Sequence, residues 1–487
     1  MPVSIGSITL LPWQEAAFPG LLAVVRKVRA AVDASDMGTG KSYTGAFVAD
    51  AMRDGKAVVV VCPKAVIPSW KGIFTAMGLK EHEFAVLNYE RARIKNGVPG
   101  VVKRDGKRFL WDATRVGFVI FDEAHHVRSY EGSQNSRLAI GCKLADIPHL
   151  FLSATLAESP AHFRAIGFSL GIHKGVDFFQ WAMRMGCTTD PWGKLVLKAS
   201  ERSRVTSELN AVLFPGFGIR LRKQDIPNFP DCEIKAEAFD FGDNAGIEKA
   251  YAEMAEELAK LEEKAEADEH RVKDAAKPMV AQLRARQKVE LLKVPGTVEL
   301  VGDAIEEGMA VALFCNFNAT IDEVLKRTAK LKPAVVRGGQ KELARQMEVD
   351  KFQRGDTHFI VVNAQSGGAG LGLHDLYGIR PRLGYVFPSF RATDMRQVMG
   401  RLPRAGSKSK SMYRMLFAAG TVEAKVLRKV QGKLNNLDLI NDADLLTEGE
   451  DPILEVAIAD EPEPAAQPSG PVSGDAELAD AAETGYF

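Results

Sequence analysis

Two short runs carry residue types suited to handling phosphate. The first, SDMGTGKS (Ser35–Ser42), follows a short strand pattern, RAAVDAS, and precedes an apolar helical pattern, YTGAFVADAM. Gly38 and Gly40 let the backbone approach a phosphate, and successive N–H groups at a helix N-terminus turn positive dipole ends toward it. Lys41 suits the β- and γ-phosphates of ATP, the Ser42 hydroxyl suits Mg2+, and Thr39 completes the loop's ATP-binding set. One feature departs from the general phosphate loop G-x-x-x-x-G-K-[ST]: the position of its first glycine is Ser35. The second run, FVIFDEAHH, ends an apolar strand in Asp122 and Glu123, 81 positions after Lys41. The end of a neighbouring strand is where a second Mg2+-organising carboxylate belongs, a role that fits Asp122, leaving Glu123 to orient and deprotonate an attacking water. An isolated Asp-Glu pair is more often a solvated turn, but the apolar run before it and GTGKS upstream make that reading poor here.

Elements able to position such groups recur along the chain. KAVVVVCP (56–63), VGFVIFDEAH (116–125) and HLFLSAT (149–155) are short apolar runs separated by helical stretches, and MAVALFCNF (309–317), HFIVVNAQ (358–365) and LGYVFP (383–388) repeat the pattern. Continuous Val/Ile/Leu/Phe runs mark strands buried on both faces, as in parallel α/β sheets, so two α/β blocks are expected. Between them Ile247, Tyr251, Met254, Leu258 and Leu261 follow a 4,3,4,3 spacing, the seam of a helix packed on a partner helix within the chain, which Pro278 should break or kink.

The 487 residues leave room for two or three domains. No apolar run is long enough to span a bilayer, and the N-terminus MPVSIGSITLLP lacks the basic segment of a signal peptide, which points to a cytoplasmic protein. Five cysteines without C-x-x-C spacing fit a reducing compartment and argue against a zinc site. Eleven Asp or Glu and no Lys or Arg fall in 448–487, so the zero overall charge leaves +11 on residues 1–447, a balance compatible with nucleic acid as partner. This Ala/Pro/acidic tail cannot bury enough apolar area to offset its ordering entropy; it is expected to be disordered, either a passive solvated tail or an acidic surface for a protein partner.

Taken together, these runs resemble the motifs of the superfamily 2 helicases and translocases. DEAH is a form their second motif often takes, and LFLSATLAESP resembles their third, with Ser153, Ala154 and Thr155. In that superfamily the first glycine of the phosphate loop is commonly another small residue, and D-x-MG-x-GK-[ST] is typical of the SWI/SNF-type branch, which SDMGTGKS resembles. LPWQ, with Gln14, resembles the adenine-reading glutamine motif; VVVVCPKAVIPSW resembles motif Ia, with Pro63 and Trp70; VLNYERAR resembles Ib. GIRLRKQDI, VALFCNFNATIDEV, VVNAQSGGAGLGLHD and DMRQVMGRLPRAG resemble, in order, the branch's lead into its second lobe and motifs IV, V and VI, and AAGTVEAKVLRKVQGKL its closing helix. The chain departs from the branch pattern at Gly372, where an Asn is usual, at Gly406–Ser407, where GQ is usual, and at SATL, where GTP is usual.

The resemblance implies two RecA-like parallel-sheet lobes: lobe one at 1–229, with a helical extension over 156–229, a helical insertion at 230–295, lobe two at 296–447, and the tail at 448–487. It implies Arg401 and Arg404 reaching the γ-phosphate from lobe two; His125, Ser153, Thr155 and Gln397 coupling the nucleotide to the track; and Pro63, Lys64, Ser366, Gly367 and Gly368 touching nucleic-acid phosphates. For His125 a purely structural role weighs nearly as much. The implied function is an ATP-dependent DNA helicase or translocase acting on double-stranded or branched DNA, monomeric by default. DEAH and SAT keep an RNA helicase open. An ATP-switched DNA-binding scaffold is weakened by intact Glu123, Arg401 and Arg404, and a small-molecule kinase by Q-x-x-G-R-x-x-R in the second α/β block.

Overall fold

The computed structural model of the chain describes residues 2–128, 133–154, 156, 159–190, 193–266, 276–365, 371–388, 395, 398–424 and 427. The expected runs become strands of two six-stranded sheets, parallel throughout. The first runs, edge to edge, Gly218–Ile219, Ala30–Asp33, His149–Leu152, Val116–Asp122, Ala57–Cys62, Phe84–Asn88. The second runs Cys232–Phe239, Ser411–Ala418, Arg382–Val386, Ala310–Cys315, Phe359–Asn363, Ala334–Val336. The two-block expectation therefore holds: this is an α/β chain with two lobes of the RecA-like type.

Alternation along each central strand explains the unbroken apolar runs. Val59 and Val61 join Val119, Phe121 and Phe151 in one core, while Val58 and Val60 join Phe118, Ile120, Leu150 and Leu152 in the core on the opposite face. Successive strand residues point to opposite faces, so a sheet covered on both sides must be apolar at every position.

The helical region behaves as part of lobe two. Helix Asn244–Glu266 buries Ile247, Tyr251, Met254 and Leu258 against Ala281, Ala285 and Val289 of helix Ala276–Glu306, within the same core as the second sheet. The seam thus packs inside the chain, as its spacing predicts. Pro278 lies in the second helix, near the start of its described part. The sheet also claims residues ahead of the helices, because Cys232–Phe239 pairs with Ser411–Ala418. A boundary at 295/296 falls inside the helix Ala276–Glu306, whereas one at 229/230 lies between the last strand of the first sheet and the first strand of the second. Glu423 ties these helices to the sheet: its carboxylate accepts from Tyr251 Oη at 2.7 Å and from Lys293 Nζ, with all three side chains buried. Residues 448–487, where the acidic tail was expected, lie outside the described residues.

Candidate active site

The phosphate-loop sequence folds as strand, loop and helix. Ala30–Asp33 ends at the loop, and helix Lys41–Met52 begins behind Gly40, which caps it in the left-handed region at φ +89°. A Cβ on Gly40 would lie 2.0 Å from Gln14 Nε2, and one on Gly38 (φ +86°) would lie 2.6 Å from Pro403 O. Neither position can carry a side chain. Gln14 is spent on this loop: its Nε2 donates to Thr39 O (3.0 Å) and Gly40 O (3.3 Å), while its Oε1 accepts from Leu11 N. Lys41 Nζ donates back to Ser35 O (2.6 Å) and Asp36 O (3.0 Å).

Ser35 explains its own departure from glycine. Its buried hydroxyl accepts from Leu221 N at 3.0 Å, and next to it Asp36 Oδ2 accepts from Lys223 N at 2.9 Å. The serine therefore fastens the stretch Gly218–Lys223, which leaves lobe one for lobe two, onto the loop. Ser35→Gly should lower unfolding free energy by about 1–3 kcal/mol, because it strands the Leu221 N–H and adds backbone freedom. Chemical denaturation of the two proteins checks this, and equal stability would refute the anchoring role.

Strand Val116–Asp122 delivers the two carboxylates. Asp122 Oδ2 accepts from Trp70 Nε1 at 2.7 Å, Oδ1 accepts from Glu123 N, and Tyr89 Oη donates to Asp122 O. Burial and the neighbouring Glu123 charge push the Asp122 carboxyl up to about 6. Glu123 occupies the left-handed region at φ +50°. Burial raises its pKa, but His125, Lys41 and Arg401 together outweigh burial and hold it below the usual carboxylate value. His125 Nδ1 lies 3.3 Å from Glu123 Oε2, near enough to attract electrostatically but not aligned as a hydrogen bond.

Lobe two closes directly onto this face. Ala405 N donates to Gly38 O at 3.0 Å, and a Cβ on Gly400 would lie 2.7 Å from Met37 Sδ. Arg401 Nη1 and Arg404 Nη2 both donate to Leu371 O, at 3.4 and 2.8 Å. Burial and the Arg404 charge bring Arg401 down to about 10, so it stays cationic at neutral pH. One cavity of about 580 Å3 is lined by Gln14, Gly38, Gly40, Lys41, Ser42, Asp122, Glu123, Arg401 and Arg404. Residues from both ends of the chain, expected to share a site, thus share one space. Such a volume suits a nucleotide-sized ligand.

The remaining expected residues divide. Ser153 is buried beside the loop strand, its N–H donating to Asp33 O at 3.1 Å. Pro63 and exposed Lys64 sit just past strand Ala57–Cys62. Thr155, Gln397, Ser366, Gly367 and Gly368 lie outside the described residues. The geometry adds three groups that sequence reasoning gave no role in the site: Trp70 and Tyr89, which hold Asp122, and His374, which lines the cavity. Trp70 stood within a recognised motif, but nothing in its spacing links it to a residue 52 positions away.

Residues 294–406 match the family described as helicase conserved C-terminal domain. Over 470 residues the chain is 29% identical to a protein of Acanthamoeba polyphaga mimivirus named "Putative ATP-dependent RNA helicase", covering 90% of this chain and 85% of that one. Among solved structures it is similar to the Sulfolobus solfataricus SWI2/SNF2 ATPase core in complex with dsDNA (18% identity, 94% of this chain and 98% of that chain, TM-score 0.36). The core domain of the same ATPase compares at 17% identity, 91% and 92% coverage and TM-score 0.36. With a helicase C-terminal domain set across one cavity from a phosphate-loop lobe, and similarity along nearly its whole length to a viral protein named as a helicase, the chain is similar to the superfamily 2 helicases and translocases, and is a nucleic-acid-dependent ATPase.

Proposed function

We propose that this ATPase is a motor of the SWI/SNF-type branch that moves along or remodels double-stranded or branched DNA, working as a monomer in the cytoplasm. The observation that carries the reading is the meeting of the phosphate loop with Arg401 and Arg404 in one cavity, sealed by the Ala405–Gly38 hydrogen bond. A site completed only when both lobes meet makes hydrolysis depend on closure, and repeated opening and closing can carry the lobes along a strand.

The residues present fit ATP with Mg2+. Gly38 and Gly40 leave the backbone bare where a phosphate would lie, and the adjacent, half-buried carboxylates of Asp122 and Glu123 repel each other, an arrangement suited to a divalent cation. Ser42 and Asp122 would hold Mg2+, which supplies charge neutralisation to the phosphates when bound. Lys41 exchanges its bonds to Ser35 O and Asp36 O for phosphate oxygens. Thr39 contributes loop backbone, and Gln14 holds that loop from behind while lining the cavity where adenine would sit. Glu123 takes the proton of the attacking water, and Arg401 and Arg404 stabilise charge on the transferred group. His125, Ser153, Thr155 and Gln397 pass closure to the track, and Pro63, Lys64, Ser366, Gly367 and Gly368 hold its phosphates without reading sequence.

Duplex DNA is expected to stimulate ATP turnover more than RNA does. The SWI/SNF-like SDMGTGKS and the motif set around it favour duplex DNA; the name of the mimivirus relative favours RNA. Turnover measured with single-stranded, duplex and forked DNA and with single-stranded RNA separates the two, and stronger stimulation by the RNA would replace the DNA reading with an RNA helicase.

A further inference from the structure

Between the strand Phe84–Asn88 and the strand Val116–Asp122 the chain makes an antiparallel hairpin, Val102–Asp105 paired with Arg108–Trp111, that belongs to neither large sheet. Its inner face is seated firmly. Val102, Phe109 and Trp111 are buried in the lobe-one core, and Trp111 Nε1 donates to Leu138 O at 3.0 Å. A Cβ on Gly141 would lie 2.3 Å from Phe109 O, so helix Gln134–Leu144 and the hairpin pack backbone to backbone. That helix is joined in turn to the segment after Glu123, where Asn135 Nδ2 donates to His126 O at 3.0 Å.

The outer face has the opposite character. Lys103 and Arg108 on the strands and Lys107 in the turn are exposed, and Arg91 and Lys95 are exposed on the stretch just before the hairpin. None of these five forms an ion pair among the described residues. From 91 to 115 there are eight Lys or Arg against two Asp, and Asp112 is engaged by Thr114 and Arg115. A chain with no net charge has therefore gathered a net +6 into 25 residues. The hairpin also touches the 93–98 stretch: Arg104 Nη1 donates to Arg93 O, and Val98 N donates to Val102 O. Exposed unpaired cations on a rigid, apolar-backed support suit a partner with regularly spaced negative charge, since binding there releases counterions without first ordering a loop.

We infer that the hairpin Val102–Trp111, with the exposed cations just ahead of it, is a second phosphate-gripping surface of lobe one, holding the backbone of the nucleic acid track. Its root on helix Gln134–Leu144 couples that grip to the segment carrying Glu123 and His125. The inference rests on a nucleic-acid track and is indifferent to whether that track is DNA or RNA.

The test uses the full chain and whichever nucleic acid stimulates it most. Binding is measured across a salt series for wild type and for Lys103→Ala/Lys107→Ala/Arg108→Ala. Three lost phosphate contacts make the slope of log K against log[salt] shallower by about 2–3 units. Turnover without nucleic acid should not change, because these side chains touch nothing in the site. Lys103→Arg/Lys107→Arg/Arg108→Lys should keep the wild-type slope. Lys107→Ala alone, in the turn, should lower it by about one unit and serves should the triple variant unfold. An unchanged slope in the alanine variants overturns the inference, as does capture of an acidic protein with nucleic-acid binding intact. Wild type that no nucleic acid stimulates would instead overturn the motor reading, so the two failures are distinguishable.

Discussion

Glu123→Gln is expected to lower ATP turnover by about 10²–10⁴-fold while leaving ATP and nucleic-acid binding intact. A general base must be ionised when water arrives. Burial alone would work against that, but His125, Lys41 and Arg401 together hold the Glu123 carboxyl below its ordinary value. Asp122, one residue earlier and equally buried, is pushed the other way, to about 6, so the strand end holds two carboxylates of different character. The difference matches two roles: the lower one accepts a proton in turnover, and the higher one is suited to a cation that would draw it down. Glutamine keeps the length and much of the packing of Glu123 but cannot take the proton. Steady-state turnover, with separate titrations of nucleotide and nucleic acid, gives the readout. Turnover that survives the substitution would remove Glu123 from the role of base and leave His125, 3.3 Å away, as the next group to test.

The central strands and the site's cast were legible because parallel sheets and phosphate loops impose local rules. A strand covered on both faces must be apolar throughout, so AVVVVC and AVALFC announced themselves. Edge strands escape that rule. Cys232–Phe239 reads CEIKAEAF because only one residue in eight is fully buried, and nothing local separates it from a polar linker. Its pairing with Ser411–Ala418, some 180 positions away along the chain, is what makes the helical region part of lobe two. The basic hairpin was hidden for a similar reason: Lys103, Arg104, Lys107 and Arg108 mask the buried alternation of Val102, Phe109 and Trp111. In the site, the motif-bearing residues were visible by type and order, whereas their supports were not. Ser35 holding Leu221 N and Trp70 holding Asp122 are long-range bonds that no spacing encodes.

Arg401→Ala and Arg404→Ala are each expected to cut turnover by about 10³–10⁵-fold, the scale of an arginine that stabilises transition-state charge. Both guanidiniums converge on Leu371 O, in a closed arrangement where Gly400 and Ala405 touch Met37 and Gly38. The two guanidiniums are thus held within lobe two, on the face whose contacts with Met37 and Gly38 bring the lobes together, and opening the lobes withdraws both cations from the phosphate loop. Charge alone should not substitute. Lysine at either position keeps the positive charge but loses the planar fork that spans two oxygens, so Arg401→Lys should recover little. The informative comparison is between affinity and rate. A group that acts on the transition state changes kcat while ATP binding stays near wild type, whereas a ground-state contact changes both in step. If Arg401→Ala weakens ATP binding as much as it slows turnover, Arg401 holds the substrate and does not drive its cleavage. Closure would then be a binding device, and the coupling of hydrolysis to movement would have to come from elsewhere in the lobe-two face of the cavity.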